Sequence, residues 1–172
     1  MRYNKITCPD INNGIGFRVT LWVSGCTHHC KGCHNKGTWN FKSGKLYDRE
    51  AEEKIYGLLS PPYIKGLTLS GGDPMDSAQE VLGVISRIKE KFPEKDIWLY
   101  TGYSMLQVMG SREKQVILPY IDYLVDGEYR QDLRDVTLAF RGSKNQVIWH
   151  RNGDNIFTVI DMDKHTGIKE TL

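Results

Sequence analysis

Short apolar runs alternate with amphipathic segments along most of this chain, and a glycine follows each run within two residues. The runs are rich in β-branched, aliphatic and aromatic side chains, which favours strands, and they cover residues 17–23, 66–70, 96–101 and 121–125. Three other segments repeat apolar side chains at helical spacing: residues 48–59, 77–92 and, more weakly, 111–119. Ser77 and Glu80 have the spacing of a capping box at the start of the second helix. Strand, loop and helix in this order predict an α/β fold with a mostly parallel sheet.

Four loops should meet at one edge of that sheet. Functional residues of parallel β/α folds gather at the carboxyl ends of the strands. A cysteine-rich loop after residue 23, the pair Gly71-Gly72, Gly102 and the pair Asp126-Gly127 all follow predicted strands. The sequence therefore places the functional site at this edge.

The pattern weakens beyond residue 127. Residues 146–149 and 156–160 are predicted to pair as strands across a turn at 151–155, and the last dozen residues to form a loose end. A length of 172 residues lies in the ordinary range of one domain. We therefore expect residues 1–172 to form one domain.

Charge and composition narrow the expected partners and compartment. The chain has 23 basic and 21 acidic side chains, a formal net charge of +2, which offers no argument for nucleic acid or an anionic membrane as partner. No run approaches the ~20 apolar residues of a membrane helix, and the N-terminus lacks the apolar core of a signal peptide. We expect a cytoplasmic protein that binds neither nucleic acid nor membrane.

Three of the 4 cysteines, Cys26, Cys30 and Cys33, are clustered. In a reducing compartment clustered thiols more often bind metal than form disulfides. Thiolates hold iron–sulfur clusters, normally four of them for a four-iron cluster, so three would leave one iron open to a small molecule. An open metal position usually marks a reactive site. The remote Cys8 is expected to be a free thiol.

A structural zinc site is the alternative interpretation of the same residues. Zinc could bind the three cysteines and take Cys8 or a nearby histidine as its fourth ligand; the histidines are His28, His29 and His34. Zinc modules usually join two short ligand pairs across a longer gap, and no second pair exists here. A chain of this length also has no evident need for a metal to stabilise it. We favour an iron–sulfur cluster and expect His28 and His29 to be loop residues.

The spacing C-x3-C-x2-C on a loop after the first predicted strand resembles the signature of radical S-adenosylmethionine enzymes. Other segments narrow the resemblance to one subfamily, the activating proteins of the anaerobic ribonucleoside-triphosphate reductase. The resembling segments are residues 23–26, 32–36, 38–39, 69–74, 98–103, 124–127, 141–143 and 145–147. They cover most of residues 1–150 in the same order and at similar spacing. The tail after about residue 151 has no counterpart in the resemblance.

The resemblance implies a partial, open β/α barrel of the radical S-adenosylmethionine type. It implies a [4Fe-4S] cluster on Cys26, Cys30 and Cys33, whose open iron binds the amine and carboxylate of S-adenosylmethionine. The segment 71–74 would cradle the methionine amino group, with contacts from Gly72 and Asp73, although Gly-Gly-Asp-Pro alone favours a plain turn. Two further residues, Gly32 and His34, would lie along the adenine together with Cys33.

The implied activity is reductive cleavage of S-adenosylmethionine to methionine and a 5′-deoxyadenosyl radical. That radical would install a glycyl radical on the large subunit of the reductase, with a flavodoxin-like protein as electron donor. Two alternatives remain: the activase of another glycyl-radical enzyme, such as pyruvate formate-lyase, and a zinc-stabilised binding module. Tyr103 and Asp126 are expected near the site. The polar group Arg141, Ser143, Asn145 and Gln146 fits partner recognition, cosubstrate recognition or a solvated turn.

Overall fold

An eight-stranded sheet runs through the structure, a computed structural model that describes residues 1–154 and 156–163. The strands are β1 (Arg2–Asp10), β2 (Phe17–Val23), β3 (Lys45–Leu46), β4 (Ile64–Gly71), β5 (Asp96–Tyr100), β6 (Tyr123–Asp126), β7 (Val147–Arg151) and β8 (Phe157–Ile160). Their order across the sheet is β3-β1-β2-β4-β5-β6-β7-β8. The two outermost strands are not paired with each other, so the sheet is open, as expected.

The prediction of a mostly parallel sheet is wrong. β2, β4, β5 and β6 pair in parallel, but the other four of the seven pairings are antiparallel. Parallel neighbours need a long crossover connection, whereas antiparallel neighbours can be joined by a short turn. Crossovers join only the four central strands here. The flanking strands β1, β3, β7 and β8 had no helices between them to reveal their direction, and the sequence did not indicate β1 or β3 at all.

Four helices lie within the described residues: α1 (Arg49–Leu59), α2 (Ala78–Lys91), α3 (Met105–Gly110) and α4 (Arg112–Gln115). The first two confirm the predicted segments 48–59 and 77–92. The helix predicted at 111–119 is wrong in its bounds, because only α4 lies within that segment, and α3, which Ser104 caps in a capping box with Gln107, precedes it. The predicted box of Ser77 and Glu80 is also wrong. Ser77 makes no capping bond, and the Glu80 carboxylate pairs with the N-terminal amine.

The two faces of the central sheet differ in chemistry. Side chains alternate between the faces of a strand, and one set is aliphatic and packs with the apolar sides of α1 and α2. The buried members of this core include Val19, Leu21, Leu67, Leu69, Leu99, Ile55, Val81 and Ile85. Burial of such a side chain contributes about 1.5–3 kcal/mol. This face holds the fold together.

The opposite face carries polar and aromatic side chains. Arg18 is fully buried there, donates to the Thr68 hydroxyl at 2.7 Å and forms an ion pair with Asp96. Its guanidinium lies 5.5 Å from the ring centre of Trp98, and Trp98 stacks on Tyr123. Buried charge of this kind is tolerated because it is paired and hydrogen-bonded. The polar face of the sheet can therefore line a ligand site.

The C-terminal part confirms the predicted antiparallel pair, seen as β7 and β8. Asn155 of the predicted turn at 151–155 lies outside the described residues. So do residues 164–172, which make up most of the predicted loose end. Within the described part of the chain, no helix is long and apolar enough to cross a membrane.

Candidate active site

The loop after β2 brings three thiols to one cavity. Cys26, Cys30 and Cys33 line a cavity of about 130 Å³ at the carboxyl edge of the parallel strands. The backbone N–H of Cys26 donates to Trp39 O at 3.1 Å, and that of Cys33 donates to Cys30 O at 3.1 Å. Gly32 has φ 76°, a conformation that glycine adopts without strain. The loop is therefore shaped so that all three thiols face the same space.

Burial makes two of these thiols hard to ionise on their own. Desolvation raises the pKa of Cys26 to about 11, and it also raises the pKa of Cys30. Metal cations supply the positive charge that replaces the proton of a buried thiol. Cys8 lies instead on β1, packs against the aliphatic core, and is absent from the residues that line the cavity. The structure therefore separates Cys8 from the other three cysteines.

The end of β4 lies directly against the cysteine loop. Gly72 N–H donates to Val23 O at 2.9 Å, and Asp73 N–H donates to Gly25 O at 2.7 Å. A Cβ at position 72 would overlap the carbonyl oxygen of Gly25. Glycine is needed at position 72 because the two backbones approach so closely. Gly71-Gly72 forms a wall of the cavity that holds the thiols.

Asp73 is buried and joins several strand ends. Its Oδ2 accepts from Thr101 Oγ1 at 3.0 Å and from Gly102 N at 2.8 Å, and its Oδ1 accepts from Met75 N at 2.9 Å. The same Oδ2 lies 2.8 Å from His28 Nε2. With an exposed fraction of 2%, the carboxylate is bonded to protein donors on both oxygens. Its direct effect is to hold the loops of the site together.

His28 extends the same network to a fourth strand end. Its Nδ1 lies 3.0 Å from Glu128 Oε1, so both ring nitrogens face carboxylate oxygens. Ionised carboxylates only accept hydrogen bonds, so both nitrogens carry a proton in this arrangement. The hydrogen bond to Asp73 raises the pKa of His28 to about 9.

A second cavity of about 360 Å³ adjoins the first. The two share wall residues Cys33, Asn35, Ser70, Tyr100, Tyr129 and Gln146. His34 lines the second cavity, with its ring centre 6.0 Å from that of Tyr129. The hydroxyls of Tyr100 and Tyr129 are buried and have no hydrogen-bond partner among the described residues. The volume suits a small-molecule ligand, and buried hydroxyls of this kind are available to bond one.

Known proteins match this chain over most of its length. The family model described as a 4Fe-4S single cluster domain matches residues 12–149. A protein of Vibrio cholerae, named anaerobic ribonucleoside-triphosphate reductase-activating protein, is 50% identical over 155 residues, 88% of this chain and 98% of the relative. Relatives of the same name from Escherichia coli K12 and from Enterobacteria phage T4 are 44% identical over 154 residues and 42% identical over 160 residues. These matches cover 87% and 91% of this chain, and 99% and 98% of the relatives.

The chain belongs to this family of reductase-activating proteins. The family's 4Fe-4S domain identifies its metal group as an iron–sulfur cluster. The described residues fit such a group, because three thiols line one cavity, burial opposes the ionisation of Cys26 and Cys30 in the absence of metal, and glycine backbone lies alongside. Within residues 1–154 and 156–163, no three histidine, cysteine or carboxylate side chains are grouped so as to hold a single metal ion.

Tyr103 and Asp126, both expected near the site, do not line either of these two cavities. Tyr103 donates to Asp76 Oδ1 at 2.6 Å, and burial raises the pKa of Tyr103 to about 12, so its hydroxyl stays protonated. The Asp126 carboxylate accepts from Met105 N at 2.6 Å and faces a separate, largely apolar cavity. Both residues lie at the strand ends where the sequence predicts them, but their side chains bond to neighbouring loops.

The polar group at 141–146 builds the loop that flanks the cleft. Gln146 Oε1 accepts from Gly142 N at 2.8 Å, and its Nε2 donates to Gly127 O at 3.0 Å. Asn145 Nδ2 donates to Glu128 O at 2.8 Å, and Arg141 forms an ion pair with Asp163. These bonds build a structured turn in which Ser143 is fully buried, and Arg141 and Gln146 also line the second cavity. Recognition of the partner or of the cosubstrate by this group stays a hypothesis.

Three residues at this site were not predicted from the sequence: His28, Tyr100 and Tyr129. His28 is predicted to be a loop residue because it falls between two cysteines, and its partners Asp73 and Glu128 are too distant in the chain for a local pattern to reveal them. Tyr100 belongs to the strand-like pattern, and only its position at the strand end could have suggested a place in the cleft. Nothing in the sequence marks Tyr129.

Proposed function

We propose that this chain activates the anaerobic ribonucleoside-triphosphate reductase, by cleaving S-adenosylmethionine and installing a glycyl radical. Membership of the activating-protein family is the observation that carries this proposal. The family's 4Fe-4S domain favours it over a zinc-stabilised binding module.

Cys26, Cys30 and Cys33 are the proposed ligands of the [4Fe-4S] cluster, with one iron left open. When bound, the cluster supplies the single electron that cleaves the C–S bond of the sulfonium. The support for this set is that all three thiols line one cavity, whereas Cys8 does not. The same three residues are the proposed catalytic group.

The neighbouring residues are proposed to bind and orient S-adenosylmethionine. Gly72 would place its backbone close to the methionine amino group, and Asp73 would contribute by fixing that loop, since its oxygens are bonded to protein donors. Gly32, Cys33 and His34 would lie along the adenine. Cys33 and His34 line the larger cavity, which is the support for this placement.

The reaction balances with one external electron. The electron and S-adenosylmethionine give methionine and a 5′-deoxyadenosyl radical, which takes a hydrogen atom from a glycine of the reductase's large subunit. The products are 5′-deoxyadenosine and a glycyl radical. We propose a flavodoxin-like protein as the electron donor and the cytoplasm as the compartment.

The proposed architecture is one radical S-adenosylmethionine domain over residues 1–172, a partial, open β/α barrel. The four parallel strands β2, β4, β5 and β6, with the site at their carboxyl ends, support it. An open side suits a macromolecular substrate, because a backbone segment of the partner must reach the radical. The tail after about residue 151 adds the strand β8 to the sheet edge.

Activation of two candidate partners tests the proposal. The reconstituted protein, S-adenosylmethionine and a reductant are mixed with the large reductase subunit or with pyruvate formate-lyase, and glycyl radical is measured by electron paramagnetic resonance. We expect the radical on the reductase only. Radical on pyruvate formate-lyase alone would contradict the assigned partner and support the alternative activase.

A further inference from the structure

His28 lies between two proposed cluster ligands, Cys26 and Cys30, but both of its ring nitrogens are already engaged. Nε2 is 2.8 Å from Asp73 Oδ2 and Nδ1 is 3.0 Å from Glu128 Oε1. A ring nitrogen at hydrogen-bond distance from a protein carboxylate is directed at that oxygen and not at a metal. His28 is therefore suited to a role other than ligation.

The His28 side chain contacts the loops that follow the other three parallel strands. Asp73 follows β4, Gly102 and Tyr103 follow β5, and Glu128 follows β6. The ring centre lies 4.5 Å from that of Tyr103, and a Cβ at Gly102 would lie 2.6 Å from the ring. The ring is largely buried, with an exposed side-chain fraction of 9%. One side chain on the cysteine loop thus packs against all the other parallel-strand ends at this edge.

We propose that His28 is a positioning residue that fixes the cysteine loop relative to Gly71-Gly72, and so sets where S-adenosylmethionine lies against the cluster. This inference rests on the proposed function. The cysteine loop has separate backbone anchors, Gly25 N to Thr38 O at 2.7 Å and Cys26 N to Trp39 O at 3.1 Å. The cluster should therefore survive loss of His28. Backbone bonds from Gly72 and Asp73 hold the start of the cysteine loop, so loss of His28 should loosen its later part, residues 28–33, against the Gly71-Gly72 wall.

The experiment compares His28→Asn with His29→Asn in the full chain, reconstituted anaerobically with iron and sulfide. His29 is the matched control, because it is an exposed neighbour whose ring packs on Trp39, and asparagine tolerates its φ of 51°. Three quantities are measured: iron per chain, the Kd for S-adenosylmethionine, and the change that S-adenosylmethionine causes in the paramagnetic resonance spectrum of the reduced cluster.

We expect His28→Asn to keep the wild-type iron content, to raise the Kd by about 10–100-fold and to lose most of the spectral change. That range is the usual effect of residues that orient metal ligands from outside the ligand shell. His28→Gln should recover part of the affinity, because its longer amide can still donate to Asp73. His29→Asn should match the wild type in all three measurements.

Two results would overturn the inference. Wild-type affinity and an intact spectral change in His28→Asn would show that the histidine positions nothing. Loss of iron in proportion to the loss of binding would show that it merely retains the cluster. If the wild-type protein itself neither binds nor cleaves S-adenosylmethionine, the proposed function fails, and the inference fails with it.

Discussion

At the scale of single residues, position around one small cavity separates the four cysteines. Cys26, Cys30 and Cys33 line it, while Cys8 packs against the core from β1. Replacing any one of the three with alanine should remove most of the bound iron, because each thiolate is a proposed cluster ligand. Cys8→Ala is the control and should keep wild-type iron and sulfide. Loss of iron in Cys8→Ala, or full iron in Cys30→Ala, would contradict the assignment.

Gly72 should be sensitive to a single added methyl group. Alanine at 72 would push its Cβ against the Gly25 carbonyl, next to Cys26, so the two loops would have to separate. We expect Gly72→Ala to lower the thermal midpoint of the metal-free protein and to weaken S-adenosylmethionine binding. Gly57→Ala is the control. Gly57 is exposed in α1 with nothing within 4 Å of an added Cβ, so alanine there should stabilise by up to about 1 kcal/mol. An unchanged midpoint in Gly72→Ala would contradict the close approach.

The sequence alone identified the residues whose chemistry is local. The three cysteines are recognisable by type and spacing, whereas Gly71-Gly72 was assigned through the family resemblance, because Gly-Gly-Asp-Pro alone favours a plain turn. The hydrogen bond between His28 and Asp73 joins positions 45 residues apart, so no local pattern encodes it. The sequence predicts that Asp73 contacts the cosubstrate, and this stays a prediction; the structure shows that both of its oxygens are bonded to protein donors.

At the scale of secondary-structure elements, the two faces of the central sheet have different roles: one packs in the core and the other is polar. The aliphatic face packs with α1 and α2, and truncating a buried leucine there leaves a cavity. Leu69→Ala should reduce the free energy of unfolding by about 2–5 kcal/mol. Leu106→Ala, at an 82% exposed position, should change it by less than about 0.5 kcal/mol. Denaturant titration of both variants measures the difference, and equal effects would contradict this assignment of the core.

The strands that are apolar runs and the helices with apolar side chains at helical spacing were predictable. The flanking strands β1 and β3 were not. The strands β2, β4, β5 and β6 and the helices α1 and α2 follow the pattern of apolar side chains. The strand β1 lacks a clear alternation, since its residues are partly buried except for the exposed Lys5 and Pro9, and β3 has only two residues. The prediction of strand direction was wrong for a related reason. Pairing at the sheet edges depends on tertiary contacts rather than on the composition of each strand.

At the scale of the whole molecule, the polar face and the four loops form one open cleft at the carboxyl edge. The two adjoining cavities share six wall residues drawn from the cysteine loop, β4, β5 and the segment after β6. Their arrangement gives a small ligand a polar and aromatic lining on one side and the three thiols on the other. The cleft exists only because the chain brings distant segments together, which is why the sequence indicated its edge but not its shape.

The central claim is that this chain cleaves S-adenosylmethionine with an iron–sulfur cluster. A reductive cleavage assay tests it most directly. The protein is reconstituted anaerobically with iron and sulfide, reduced with dithionite, and incubated with S-adenosylmethionine, and 5′-deoxyadenosine is measured by chromatography. We predict a coloured protein, with the thiolate-to-iron absorption of a cysteine-ligated cluster, that forms 5′-deoxyadenosine and methionine in equal amounts. A protein that holds a full cluster yet forms no 5′-deoxyadenosine, or a colourless one that holds only zinc, would contradict the account.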